Sequence, residues 1–145
     1  MSRIIHVLIS IILLSVVASC GSQNVTETSI QSVGVDAAKE LVAQDESVVV
    51  LDVRTPEEYE AGHIQGALNI NIRNENFSNM VSMLDRNKTY MVHCSANVDN
   101  GRTDKSLKIM NNLGFKKLLD MSGGIVAWTQ GGNPVVQETD KKAND

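Results

Sequence analysis

Aromatic residues are scarce in this 145-residue chain: one Trp, two Tyr and two Phe. Basic runs are absent, and the net charge is −4. A mildly acidic chain without a basic stripe or interleaved aromatics has no electrostatic footprint for nucleic acid, so nucleic-acid partners are not expected. The longest apolar run, from Ile4 to Val17, is interrupted by His6, Ser10 and Ser15. It is too short to span a bilayer comfortably. Cysteine is limited to Cys20 and Cys94, which excludes a disulfide-stapled scaffold.

The amino-terminal segment carries an address rather than fold information. Arg3 supplies a short basic start, and the apolar run ends in Val17-Ala18-Ser19-Cys20. This resembles the bacterial lipoprotein signal, in which the cysteine is lipidated and becomes the new first residue. The alternatives are an ordinary secretory signal cut at the same small residues, or a short anchor helix. On the lipoprotein reading, residues 1–19 are removed and Cys20 is acylated. Each buried methylene of its chains then adds about 0.8 kcal/mol of membrane affinity. Residues 20–27 form a polar tether. Gly21 rather than Asp after the cysteine points, by analogy with sorting in enteric bacteria, to the outer membrane, with the domain facing the periplasm. Cys94 is then the only free thiol in an oxidising compartment. A lone thiol there is a reactive-site candidate, against the alternative of a buried cysteine acting as a small hydrophobe.

Residues 28–136 have the length for one compact domain, followed by a polar tail over 137–145. Apolar, β-branched runs alternate with helical spacing. Strands are expected at Ser29–Val33, Val48–Val53, Leu68–Ile72, Thr89–Cys94 and Lys117–Asp120. Helices are expected over Val35–Gln44, after Thr55-Pro56, around Phe77, Met80, Val81 and Leu84, around Leu107, Met110 and Leu113 up to Gly114, and over Ile125–Gln130 after Gly123-Gly124. Thr55, Pro56 and Glu58 read as a capping box with proline at the first helical position. Glu57, Glu58 and Glu60 otherwise read as a solvated helix face. The alternation predicts a small α/β domain with a mainly parallel sheet. In such sheets, sites lie at the carboxyl ends of the strands.

Cys94 falls at such an end, followed by a polar loop that closes in Gly101-Arg102. Loop amides and a helix start there favour thiolate, the reactive form of the thiol. The sulfur is therefore expected to face solvent within a ring of backbone N–H groups. Asp52 and Arg54 sit at a neighbouring strand end, where an ion pair pinning the turn is favoured over catalysis. His63 is read as part of a structural turn. His93 alternates to the face opposite Cys94 and is expected to be packed or hydrogen-bonded. Ile125 and Trp128 read as core.

Leu51-Asp52-Val53-Arg54-Thr55-Pro56-Glu57-Glu58-Tyr59 followed by Gly62-His63-Ile64-Gln65-Gly66-Ala67 resembles the front signature of the rhodanese-like domain. Gly114-Phe115, Gly123-Gly124-Ile125-Val126-Ala127-Trp128 and Gly132-Asn133-Pro134 are similar to its closing signature. The resemblance implies a rhodanese-like α/β fold, a mostly parallel five-stranded sheet with helices on both faces. It also implies sulfur transfer: Cys94 would take sulfane sulfur from a donor such as thiosulfate as a persulfide, then pass it to a thiol or cyanide-like acceptor. Arg102 matches the arginine that closes the family's loop and holds the anion. Ser95, Ala96, Asn97, Val98, Asp99, Asn100 and Gly101 would form the substrate cradle. No metal or organic cofactor is implied, and the domain is expected to be monomeric.

This loop of seven residues is longer than that of the family's active members, and longer than the loop of the related phosphatases and arsenate reductases. Asp99 adds negative charge, which repels an anionic donor if it points inward, while Asn97 and Asn100 bring amide donors. The alternative function is therefore a weak or inactive binding module, whose enlarged loop recognises a partner or a larger oxyanion. Oxyanion reduction or phosphate ester hydrolysis is a third reading. It lacks a resolving thiol for the first and a placed proton donor for the second.

Overall fold

Two continuous apolar runs form the middle of the sheet, because neither of their faces meets water. They are β2 (Val48–Asp52) and β4 (Thr89–His93), paired in parallel from Val48↔Thr89 to Asp52↔His93. The computed structural model describes residues 30–96 and 101–137. Around this pair lie β1 (Ile30–Val33), β3 (Leu68–Asn69) and β5 (Lys117–Met121). The strand order is β1-β5-β4-β2-β3, and every strand pairing among the described residues is parallel. Parallel neighbours require crossovers, supplied by α1 (Val35–Gln44), α2 (Pro56–Glu60), α3 (Phe77–Ser82) and α4 (Arg102–Asn112), while α5 (Gly124–Gln130) follows the last strand.

The two-residue alternation of the strands divides the core into two apolar clusters. Leu51, Val53, Tyr90, Val92, Cys94 and Leu118 cluster with Phe77 and Val81 of α3 and Leu107 and Met110 of α4. Val50, Met91 and Met121 cluster with Ala38 of α1 and Ile125 and Trp128 of α5, with Tyr59 of α2 packed against them. Helices thus cover both faces of the sheet, in keeping with the expected fold class. Burying a side chain of this size contributes about 1.5–3 kcal/mol. An edge-to-face contact between Tyr90 and Phe115, centroids 5.2 Å apart, adds to the α4 side.

Local chemistry sets the boundaries. Thr55 Oγ1 accepts from the Glu58 amide while the Glu58 carboxylate accepts from the Thr55 amide, so the capping box at α2 is complete. After α4, Gly114 takes φ 84°, a left-handed turn that suits glycine. The third strand is shorter than its sequence pattern. It pairs with β2 over Leu68–Asn69, since β2 ends at Asp52, and beyond it the Ile70 and Ile72 amides donate to the Asp52 and Val53 carbonyls while the Asn69 side chain donates to those of Asp52 and Arg54. The helix expected as far as Leu84 ends at Ser82.

The closing segment folds back onto the front motif. His63 and Val136 form an antiparallel bridge, and the Trp128 indole donates to the Pro134 carbonyl. Gln137, assigned from sequence to the polar tail, donates to the Ala61 carbonyl. The leader over 1–19, Cys20 with its tether, and residues 138–145 lie outside the described residues. Among the described residues, no helix is long and apolar enough to cross a membrane.

Candidate active site

β2 and β4 are neighbours whose outgoing connections diverge: β2 leads to β3 on one side, β4 to β5 on the other. Such a switch point opens a crevice at the carboxyl ends of the strands. Asp52 closes β2, and Cys94 follows β4 directly.

The backbone leaving β4 is fixed by α5. The Ile125 amide donates to the Cys94 carbonyl at 2.9 Å, and the Val126 amide donates to the Ser95 carbonyl at 3.0 Å. Gly124 makes this approach feasible. A Cβ there would stand 2.4 Å from the Cys94 carbonyl oxygen, and its φ of 58° lies in the left-handed region. The Gly123-Gly124 pair thus has a specific task, to let one loop lie against the start of a helix.

The sulfur departs from expectation. Cys94 is 2% exposed and clusters with Phe77 and Leu107. Its Sγ–H donates to the Ala96 carbonyl at 3.1 Å. A thiol makes that bond, and a thiolate, with no proton to donate, loses it. The solvent-facing sulfur read from the sequence is therefore corrected. The residue sits on the face covered by α3 and α4, where apolar side chains crowd it. Asn97, Val98, Asp99 and Asn100 of the expected cradle lie outside the described residues. Of the rest of the cradle, Ser95 and Ala96 follow Cys94, and Gly101 is the N-cap of α4.

Arg102 opens α4 and does not point freely into solvent. Its Nη1 and Nη2 donate to the two Glu58 carboxylate oxygens at 2.5 and 2.9 Å, and Nη2 also donates to Ser95 Oγ at 2.7 Å. Ser95 Oγ in turn donates its hydroxyl hydrogen bond to Glu58 Oε1 at 2.7 Å. Hydrogen bonds from Arg102 hold the Glu58 carboxyl far below the usual carboxylate range. Partial burial opposes them, and Ser95 and the Thr55 amide reinforce them. The same bonds with Glu58 push the Arg102 guanidinium up, against its partial burial. Sequence reasoning assigned Glu58 only to the cap and a solvated face, so this role was missed. The signal was the topology: β2 and β4 are adjacent, so α2 and α4 begin side by side.

A second charged group is sealed beneath. Arg54 donates through Nε and Nη2 to Asp52, with Nη2 at 2.5 Å from Oδ2, and its remaining donors reach the carbonyls of Glu58 and Gly62. Both side chains are almost fully buried. His93 lies beside them. Its Nδ1–H donates to the Cys94 carbonyl at 3.2 Å, while Nε2 has no hydrogen-bond partner among the described residues and stands 3.8 Å from Asp52 Oδ2. Burial lowers the His93 pKa, outweighing the pull of Asp52, so the ring stays neutral. His63 is buried, stacked 3.7 Å from the Tyr59 ring, with Nδ1 on the Tyr59 carbonyl. Among the described residues, no three His, Cys, Asp or Glu side chains stand together as a metal site.

A family profile described as the rhodanese-like domain matches residues 34–131. The chain belongs to the rhodanese-like family. It is 31% identical over 102 residues to a protein named as a putative sulfur carrier, YrkF of Bacillus subtilis, covering 70% of this chain and 52% of that one. It is 33% identical over 94 residues to thiosulfate sulfurtransferase 16 of Arabidopsis thaliana chloroplasts, covering 58% and 76%. The crystal structure of a rhodanese-related protein from Thermoplasma volcanium superposes with a TM-score of 0.64 at 30% identity, covering 74% of this chain and 99% of that one. The chain spans between 25% and 52% of the length of the first curated relatives it matches. At the level of the family, rhodanese-like domains with sulfurtransferase-named relatives are the company this chain keeps.

Proposed function

We propose that this protein is a sulfurtransferase that carries sulfane sulfur as a persulfide on Cys94. The reading rests chiefly on one observation: the single cysteine among the described residues follows the central strand at the switch point, at the same end of the sheet where Arg102 opens α4. In the first step the Cys94 thiolate attacks the outer sulfur of the donor. The donor's S–S bond breaks and its leaving group departs with the electron pair, as sulfite when the donor is thiosulfate. In the second step an acceptor thiolate or cyanide attacks the terminal sulfur of the persulfide, and Cys94 leaves as thiolate. Loading requires the Cys94 Sγ to lose the proton it donates to the Ala96 carbonyl and, being 2% exposed, to be uncovered by a small movement before chemistry.

The enzyme assay is thiocyanate formation from cyanide and a panel of sulfane donors, with Cys94→Ser as control. Turnover that disappears in Cys94→Ser supports the proposal. Equal turnover in both proteins refutes it.

The buried sulfur and the engaged Arg102 favour a second reading, a non-catalytic module that uses the loop to recognise a partner. On that reading Cys94→Ser keeps the cellular phenotype while shortening of residues 95–101 abolishes it; the reverse pattern removes it. The proposed setting is the bacterial envelope, with lipid on Cys20 and the domain facing the periplasm. It is supported by the leader sequence. Cys20→Ser is expected to release the protein from the membrane fraction, and retention there contradicts the anchor.

A further inference from the structure

The Arg102 guanidinium already has an anion. Glu58 engages both of its terminal nitrogens, the fork geometry with which arginine grips a carboxylate, sulfate or phosphate. Glu58 is itself held from the other side, by the Thr55 amide of the capping box and by Ser95 Oγ. It therefore leaves only by losing several partners together. Arg54 supplies no replacement, because Asp52 and two carbonyls take its donors. The loop from Ser95 to Gly101 contains no Lys or Arg and one acidic residue, Asp99.

We propose that Glu58 sets the donor selectivity of this site, holding Arg102 charge-compensated so that low-charge organic persulfides load Cys94 in preference to dianionic inorganic donors such as thiosulfate. This rests on the sulfurtransferase reading and names its substrate class. Thiosulfate must approach an ionised carboxylate and compete with it for the fork. An organic persulfide, R–S–SH, needs no fork. The Cys94 thiolate attacks its outer sulfur, the S–S bond breaks, RS⁻ departs with the electron pair, and the proton stays on the transferred sulfur. Glu58 is a specificity-determining residue acting through Arg102.

Glu58→Gln separates charge from structure, because glutamine also serves at the third position of a capping box. The full chain is loaded with thiosulfate or with 2-hydroxyethyl persulfide, and the rate of sulfur gain on Cys94 is followed by mass spectrometry. The ratio of thiosulfate to persulfide loading is expected to rise roughly tenfold or more in Glu58→Gln, the low end of what an uncompensated cation does for an anion's association rate. In an Arg102→Ala background the same substitution should leave the ratio where it was. Inorganic sulfate should inhibit thiosulfate loading of Glu58→Gln and leave the wild type insensitive, a readout that folding defects do not mimic. An unchanged or lowered ratio, or a rise that persists without Arg102, overturns the inference while leaving sulfur transfer intact. Failure of the wild type and every variant to take sulfur from either donor overturns the sulfurtransferase reading and this inference with it.

Discussion

Two arginines at the same end of the sheet make nearly the same bonds and do different work. Arg54 is paired with Asp52, with side chains 6% and 0% exposed; Arg102 is paired with Glu58, at 21% and 34%. The first pair has no water to fall back on, so each removed partner strands a buried charge. The second pair borders solvent, where a released guanidinium is rehydrated at little cost. Burial, more than bond count, separates a charge whose loss the scaffold cannot absorb from a charge whose loss water can offset.

The sharpest way to break this contrast is to truncate both arginines. Arg54→Ala is expected to cost about 3–5 kcal/mol, since Asp52 remains buried without its cation. Arg102→Ala should cost less than about 1 kcal/mol. Urea titration measures both, and equal losses would end the comparison. Next in size is Gly124→Ala. It forces a side chain into a left-handed φ against the Cys94 carbonyl and is expected to cost about 1–3 kcal/mol for the conformation alone, with slower sulfur loading because the loop at Cys94 shifts.

The buried cluster also predicts a pH dependence. His93 has a lowered pKa in the folded state, so as pH falls through its ordinary value of 6.5 the unfolded chain binds the proton first. Stability should drop in that range, by up to about 1.4 kcal/mol per pH unit, and His93→Gln should flatten the slope. Glu58 behaves differently. Its lowered pKa gives a contribution that is full above its ordinary value of 4.5 and drains as pH falls towards the folded value. Being part-exposed, that contribution is the smallest of the set. Denaturation midpoints measured from pH 8 to pH 3 separate the two windows.

The element order was legible because strands and helices each carry their own local signal. Val48–Leu51 and Thr89–Val92 are β-branched or apolar throughout, and the Thr55-Pro56-Glu58 signature starts α2 where capping chemistry says it must. Leu68–Ile72 fits a strand by its spacing but is one only over Leu68–Asn69, because its partner β2 ends at Asp52, and where the neighbour ends cannot be seen in spacing. At the site, Cys94 and Arg102 are reached from the sequence as candidates, but their surroundings are not. Glu58 already had an explanation in the cap, and one carboxylate serving both the Thr55 amide and Arg102 becomes visible only when α2 and α4 start side by side. The sulfur's burial was hidden for a similar reason. Its position at a strand end says where the residue is, and the crowding from α3 and α4 says how much of it water reaches.

The central claim is that Cys94 accepts a sulfur atom. After incubation with an organic persulfide, alkylation and peptide mapping by mass spectrometry, the account predicts one additional sulfur on the peptide containing Cys94 and none in Cys94→Ser. A wild-type peptide that stays unmodified with every donor tried would contradict it.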